Sequence, residues 1–336
     1  MTTSDGRPYA VAVMPWHVTE EDPPHPRTRV GAWISNHELF KALVKDGWVV
    51  DVLTTAQTDT YMVDGVYVYP LADATVQDRN DLADVVFSPL EDKGRAFDFW
   101  AEKTRARIRT GYVKFVKLAH GHPSSWAAIV GLNFPNLIVF NSLQLHDEAQ
   151  RAGLLADPYV RSIVVPPVVW PTDRRSAGDH ILQTNIATED KGRGLFMELA
   201  STMPYYFVGI ERKLGDPGRM MGNYILGPQL DMGPIYEKAK IHLMPSKVES
   251  YGRAAVEAAT YGIPTIAHPT PGLLEALGPA GIFVDRTDVD GWKREISRLQ
   301  HREEWLEANA MALCLADKLT PEEDLEMFVT TMKELL

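Results

Sequence analysis

The chain contains almost no cysteine: its 336 residues hold one, Cys314. A single thiol supports neither a disulfide framework nor a cysteine-ligated metal centre, and its setting in EANAMALCLADKL reads as a buried helix position. Long hydrophobic runs are missing as well. No stretch approaches the roughly 20 apolar residues that a bilayer-spanning helix needs. The start, MTTSDGRPYAVAVMPW, has no basic region followed by a long apolar run, so a soluble, cytoplasmic protein is expected. Positive charge is also scarce. Lys and Arg number 34 against 45 Asp and Glu, a net charge of −11, which argues against general affinity for nucleic acid or anionic lipid. The exception is residues 93–117, KGRAFDFWAEKTRARIRTGYVKFVK, where eight basic residues face two acidic ones. With Phe97, Phe99, Trp100, Tyr112 and Phe115 interleaved, that segment reads either as a solvated helix face or as a surface for an anionic acceptor.

What is present is 45% hydrophobic residues, enough for real cores, in a chain about twice the usual domain length. Apolar runs of strand length alternate with helical patterns. YAVAVMPW, ISNHELFKALVKDG and WVVDVLTT form a βαβ unit with Gly47 as the helix stop, and GVYVYPL, VKFVKLAH, NLIVFNS and SIVVPPVVW continue the series. The stretch PPVVWPTDRRSAGD reads as a linker. A second series follows, with strands at HILQTNI, YYFVGI, NYILG, IHLMPS, IPTIAH and GIFVD. Its helices are expected at KGRGLFMELAST, MGPIYEKAK, YGRAAVEAATYG and PGLLEALG, and in one long run from VDGWKREISRLQ to LADKL. The expectation is an α/β protein of two Rossmann-like domains facing each other across a cleft. Their bounds are 1–170 and 171–318, with a C-terminal helix at 319–336 returning to the first domain.

The stretch PSKVESYGRAAVEAATYGIPTIA concentrates the chemistry. A strand ends at IHLMP, the loop SKVES follows, and a helix begins near Tyr251 or Gly252. Its free N–H groups and positive dipole end suit a diphosphate. Gly252, without a Cβ, lets a ligand approach the backbone. Glu257 lies about 8 Å further along the helix axis, where its carboxylate can accept both hydroxyl hydrogens of a ribose. Glu249, before the helix, then falls on the sugar side of the diphosphate. The spacing measures a nucleotide sugar.

With its flanks YEKAKIHLMPS and YGIPTIAHPTPGLLEALGPAGIFVD, the motif Glu249-Ser250-Tyr251-Gly252 and Glu257 resembles the donor domain of retaining GT-B glycosyltransferases. These are the glycogen-synthase-like and sucrose-synthase-like enzymes, and the likeness runs over residues 178–292. It implies that Ser250, Tyr251, Gly252 and Glu257 bind the donor while Glu249 acts at the sugar. The family pairs an Arg after the first strand of this domain with a Lys before a Gly. Lys191-Gly192 matches the second, whereas Asn185 stands near the expected Arg, so Arg193 or Lys247 is expected to supply the missing charge. Gly31 matches a glycine loop that touches donor phosphate or sugar, although Ala32 replaces the usual second glycine. His120, in preference to His122, matches a histidine facing the donor sugar. The long loop HVTEEDPPHPRTR suits the acceptor side.

The resemblance implies a metal-independent hexosyl transfer with retained anomeric configuration. The donor is a nucleoside-diphosphate sugar of UDP or GDP type as co-substrate, with no cofactor, and the acceptor is a hydroxyl on a lipid, glycan, protein or modified nucleic-acid base. The alternative is a catalytically weak nucleotide-sugar-binding or partner protein on the same fold, which the absent Arg favours. No metal site is expected: the histidines are not at ligand spacing, and no Asp-X-Asp of the kind that metal-dependent GT-A enzymes use is read in the chain.

Overall fold

A computed structural model describes residues 6–14, 17–18, 31–54, 59–72, 83–89, 113–121, 135–211, 218–220, 223–229 and 231–336. The chain divides into two compact units. One runs to Val168 and takes in Glu322–Leu336; the other is Val169–Pro321.

The first unit is built on strands β1 (Tyr9–Met14), β2 (Val49–Thr54), β3 (Tyr61–Val63), β4 (Val66–Pro70), β5 (Val85–Pro89), β6 (Lys114–Ala119), β7 (Leu137–Phe140) and β8 (Arg161–Val164). Their order is β3-β4-β2-β1-β5-β6-β7-β8, parallel except for the β3–β4 hairpin. All six residues of β1 are buried, as a strand covered on both faces requires, and this explains why YAVAVM is an unbroken apolar run. Helix α1 (Gly31–Lys45) crosses from β1 to β2 and delivers Leu39, Phe40 and Leu43 to the core. It stops before Gly47, whose φ of 92° is left-handed. The β3–β4 hairpin closes on Asp64-Gly65, with φ of 50° and 80°, the positive-φ pair of a tight two-residue turn. Helix α2 (Leu143–Arg151) begins at Ser142, whose hydroxyl accepts from the Leu145 N–H at 3.2 Å.

The second unit holds β9 (His180–Gln183), β10 (Phe207–Ile210), β11 (Gly218–Met220), β12 (Asn223–Leu226), β13 (Ala239–Met244), β14 (Thr265–Ala267) and β15 (Gly281–Phe283). The order is β11-β12-β10-β9-β13-β14-β15, with the β11–β12 pair alone antiparallel among the described strands of this sheet. Its helices are α3 (Arg193–Thr202), α4 (Gly233–Tyr236), α5 (Arg253–Thr260), α6 (Pro271–Leu277), α7 (Val289–Arg298) and α8 (Arg302–Ala316). Phe196, Phe207, Ile241 and Trp292 pack its core. A last helix, α9 (Pro321–Leu335), sends Phe328, Met332 and Leu335 into the first unit's core, where Phe328 lies 6.4 Å from Phe87 ring to ring.

Several elements depart from the pattern of the sequence. The region expected as helix from Met232 to Lys240 gives only α4, because Ala239 and Lys240 join β13, which pairs in parallel with β9 from Ala239 onward, the register shifting past Lys240. The long helical run from Val289 divides at Leu299–His301 into α7 and α8. Strand β5, VVFSP, was not anticipated, although it is wholly buried between β1 and β6. Cys314 is exposed on α8, not buried. The chain also does contain an Asp-X-Asp, Asp288-Val289-Asp290. Asp288 is the N-cap of α7, its Oδ1 accepting from the Gly291 N–H at 2.9 Å, so the triplet is a helix start.

Candidate functional site

In the second unit the loops after the neighbouring parallel strands β9 and β13 are tied to each other. Gln183, the last residue of β9, donates from Nε2 to the carbonyls of Asn185 (2.9 Å) and Lys191 (2.7 Å), folding the loop back on its root. The Lys247 N–H donates to the Asp190 carbonyl at 2.7 Å, stitching one loop to the other. Gly192 sits at their crossing with φ of 79°, and a Cβ there would meet Pro245 Cγ at 2.4 Å. The Lys-Gly pair therefore has two separate causes. Glycine is required by backbone and packing, whereas Lys191 is directed to the other loop, where its Nζ pairs with Glu249.

Helix α5 starts at Gly252, with φ of 101° and a would-be Cβ 2.4 Å from Leu273 Cδ2. The N-cap is a glycine with no side chain to accept from the helix start, whose first N–H groups point back along the axis. The backbone of Glu249 and Ser250 packs on Gly272, where a Cβ would meet the Glu249 carbonyl at 2.4 Å. Tyr251 packs against the Val169, Val256 and Ala276 cluster, anchoring the loop by its apolar face. Glu257, one turn and a half into α5, is held at both oxygens. The Tyr236 hydroxyl donates to Oε2 at 3.0 Å, and Arg253 Nε lies 3.0 Å from Oε1. Lys191, Glu249, Ser250, Tyr251, Gly252 and Glu257 thus all lie in the segments that follow the carboxyl ends of β9 and β13.

The two cations considered as replacements for the absent Arg behave differently. Arg193 Nη1 pairs with Glu211 Oε1 at 2.8 Å and donates to the Ile186 carbonyl at 3.2 Å. Its charge is neutralised at the end of β10, not at Glu249. Lys247 is exposed and forms no ion pair among the described residues. Asn185 curls onto its own turn, its Oδ1 accepting from the Ala187 N–H at 3.1 Å, a local bond typical of a short amide.

In the first unit, Gly31 opens α1, and a Cβ added there meets nothing within 4 Å among the described residues. Its carbonyl accepts from Ser35 Oγ at 2.9 Å. His120, following β6, bonds through Nε2 to Asn36 Oδ1, which makes Nε2 the protonated nitrogen and leaves Nδ1 as an acceptor. The loss of water around its ring lowers the pKa to about 4, so the imidazole is neutral near pH 7. A second chain runs His17 Nε2···His37 Nδ1 (3.1 Å) and His37 Nε2···Asp64 Oδ2 (2.9 Å). Burial, helped by His37, pushes His17 down to about 3.

Asn36, Gln183, Tyr236 and Arg253 were not singled out in the sequence. Only Arg253, four residues before Glu257 on the same helix, carried a local signal. His122, most of the basic segment 93–117 and the loop from Thr19 to Arg29 lie outside the described residues.

Residues 225–311 match the family of Glycosyl transferases group 1. D-inositol 3-phosphate glycosyltransferase of Streptosporangium roseum is 35% identical over 85 residues, 25% of this chain and 20% of that protein. O-antigen chain mannosyltransferase B of Escherichia coli is 30% identical over 94 residues, 28% of this chain and 25% of that protein. The chain therefore matches only about a fifth to a quarter of the length of these curated relatives. Among solved structures, Anabaena Alr3699/HepE in complex with UDP-glucose superposes with a TM-score of 0.74 at 14% identity, covering 97% of this chain and 99% of that one. Sucrose-phosphate synthase from Thermosynechococcus elongatus gives 0.67 at 15% identity, covering 97% and 98%.

Proposed function

Taking the chain as a GT-B-fold member of the group 1 glycosyl transferases, we propose that it moves a hexose from a nucleoside-diphosphate sugar to a hydroxyl acceptor, without a metal and with retention of anomeric configuration. The observation that carries this reading is the Lys191–Glu249 pair, which joins two strand-end loops in front of the Gly252 helix start. Glu257 stands one and a half turns behind that start.

The chemistry follows from what each group offers. The start of α5 provides N–H donors and a positive dipole end for the diphosphate. Lys191, whose ammonium is already directed at Glu249 across the loop junction, meets the charge that builds on the leaving diphosphate. Its pairing with Glu249 before the donor arrives holds both groups in place. Once Lys191 engages phosphate, Glu249 orients the sugar and stabilises positive charge at its ring. Glu257 accepts from ribose hydroxyls, while Ser250 and Tyr251 shape the loop. His120, neutral and held by Asn36, and Gly31 keep the donor-side roles that the family resemblance gives them. A departing phosphate oxygen takes the acceptor's proton, since no opposing carboxylate nucleophile is assigned. Lys247 is the better reserve cation, because Arg193 is engaged by Glu211.

The UDP-glucose complex of Alr3699/HepE favours a UDP-sugar as the first donor to try. The family match lies wholly within the second unit, so the inositol phosphate named for the Streptosporangium relative does not carry over as acceptor. A cytoplasmic site of action belongs to the same proposal, supported by the single cysteine, which leaves no disulfide possible within the chain. No helix among the described residues is long and apolar enough to cross a membrane.

A second reading, a nucleotide-sugar-binding protein with weak catalysis, is favoured by Asn185 in place of the family Arg and by the neutralised Arg193. Incubation with a panel of nucleotide sugars, following release of free nucleoside diphosphate, separates the two. Proton NMR of the product anomer with and without EDTA tests retention and metal independence. An inverted product, or activity lost to EDTA and restored by Mg²⁺ or Mn²⁺, overturns the mechanism.

A further inference from the structure

We infer that Tyr236 and Arg253 form a clamp that sets Glu257 for two-point recognition of a ribose diol, so that Tyr236 is a positioning residue for the sugar of the nucleotide. The inference rests on the donor-binding reading above and adds to it a residue outside the Glu249–Glu257 motif.

The argument is one of acceptor capacity and direction. An ionised carboxylate offers about four acceptor positions, two on each oxygen. In this structure one position on Oε2 is taken by the Tyr236 hydroxyl at 3.0 Å, and Oε1 faces Arg253 Nε at 3.0 Å. That leaves one position on each oxygen, the number that adjacent 2′- and 3′-hydroxyls require. With a partner at each oxygen, rotation of the carboxylate is restricted, and both remaining lone pairs stay on one side.

The donors are suited to the task. Tyr236 is buried at the end of α4, in contact with the Tyr261 ring at 5.1 Å between centroids. Burial, then the neighbouring Glu257 charge, raise its pKa well above the usual phenol range, so it remains a neutral hydroxyl that donates to the carboxylate. Arg253 supplies charge more than hydrogen bonding. Its Nε and Nη1 are buried and make no aligned hydrogen bond among the described residues, although Nε lies within ion-pair distance of Oε1. A buried guanidinium with unspent N–H groups is costly unless something completes its set. A bound ribose or its linked phosphate, drawn in beside Glu257, would supply an acceptor. The helix places the clamp by spacing alone on one side, since Arg253 and Glu257 are four apart. On the other side α4 is a short turn just before β13, which brings Tyr236 to the flank of α5.

The test uses the full chain and nucleotide affinities measured by calorimetry. UDP, GDP and ADP are each compared with their 2′-deoxy and 3′-deoxy counterparts, first for the native protein and then for Tyr236→Phe. The native protein is expected to bind one ribonucleotide about tenfold or more tightly than its deoxy forms, the scale of a hydrogen bond to a charged group. In Tyr236→Phe the ratio should shrink to within about threefold, the loss falling on the ribonucleotide. Arg253→Met, a change on the half-buried helix surface, should reduce the ratio too and serves if Tyr236→Phe does not fold. A variant that keeps the native ratio overturns the clamp, as does one that weakens ribo- and deoxynucleotides equally, which is a purely structural effect. A native protein that binds nucleotides without regard to the ribose hydroxyls also overturns it, while donor binding stands. If the native protein binds none of the three nucleotides, the donor-binding reading itself falls, and the clamp with it.

Discussion

The ends of the two sheets carry opposite kinds of chemistry. In the second unit the loops after β9 and β13 present ionised groups in pairs: Lys191 with Glu249, and Glu257 with Arg253. In the first unit the residues after β1 and β6 are imidazoles kept neutral by desolvation, His17 and His120, bonded to His37 and to the Asn36 amide. Under the proposed function the difference is a division of labour. A site for a diphosphate has to oppose charge with charge, whereas a site that positions uncharged hydroxyls works with neutral donors and acceptors. It also separates the two units experimentally, because acid attacks one kind of site and charge-removing mutation the other.

The largest expected effect is on acid stability. Both His17 and His120 have native pKa values below the unfolded value near 6.5, at about 3 and about 4. Their neutral burial is therefore fully accommodated above pH 6.5, and stability is lost as the pH falls from there toward the native values. Between pH 6.5 and 5 each should cost about 2 kcal/mol, at about 1.4 kcal/mol per unit. Amide exchange should show β1 and β6 losing protection over that range more steeply than β9. In the second unit only His242, lowered to about 3 by burial, has so large a shift among the described histidines. Equal loss in both units would erase the contrast.

Next in size is Lys191→Ala, which should lower the rate of donor turnover by about 10²-fold, as removal of a transition-state charge stabiliser does. Glutamate release from the pair does not compensate, because Glu249 is then left half-buried without its cation. Undiminished turnover would transfer the role to Lys247.

Glu257→Ala should weaken nucleotide binding by about 1–3 kcal/mol while changing the chemical step little. A ribose contact is made equally in ground and transition states, so the loss belongs in affinity. Calorimetry showing the native affinity would remove Glu257 from the donor site.

Gly252→Ala tests the backbone in place of the charges. A φ of 101° and a contact of 2.4 Å to Leu273 both resist a methyl group. Destabilisation of about 1–3 kcal/mol is expected by denaturant unfolding. A neutral result would mean that the helix start can relax, and that its geometry is less rigid than the pairing around it.

The smallest effect is expected from Asn185→Arg, which restores the family's charge beside Lys191. Turnover should rise by no more than about tenfold, since one added charge at a partly solvated site is modest. A fall would show that the turn closed by the Asn185 amide matters more than the charge.

Much of this was legible in the sequence because it is local. Alternating apolar runs marked nearly all the central strands, and Gly47, Gly252 and the Lys191-Gly192 pair marked places where backbone or ligand demanded a particular residue. What escaped notice has a common cause. Strands β3 and β11 are three-residue edge strands paired antiparallel with β4 and β12, outside the strand–helix alternation that marked the others. Strand β5 ends in Ser-Pro and reads like a turn until its neighbours bury it. The α4 region was overread because Tyr236–Lys238 follow a helical pattern, and only pairing with β9 recruits Ala239 and Lys240 into β13.

Sequence alone determined the alternation of strand and helix, the helix stop at Gly47 and the eight-residue interval between Glu249 and Glu257, since each depends on neighbours along the chain. Tertiary structure decided the partners. Lys191 meets Glu249 across 58 residues, Tyr236 meets Glu257 across 21, and His120 meets Asn36 across 84. These choices follow from which strands lie side by side. β9 pairs directly with β13, and β1 is joined to β6 through β5, so their following loops converge. Periodicity states which face of an element is apolar, but the order of strands in a sheet is set by packing of the whole unit. A side chain's partner is decided only there.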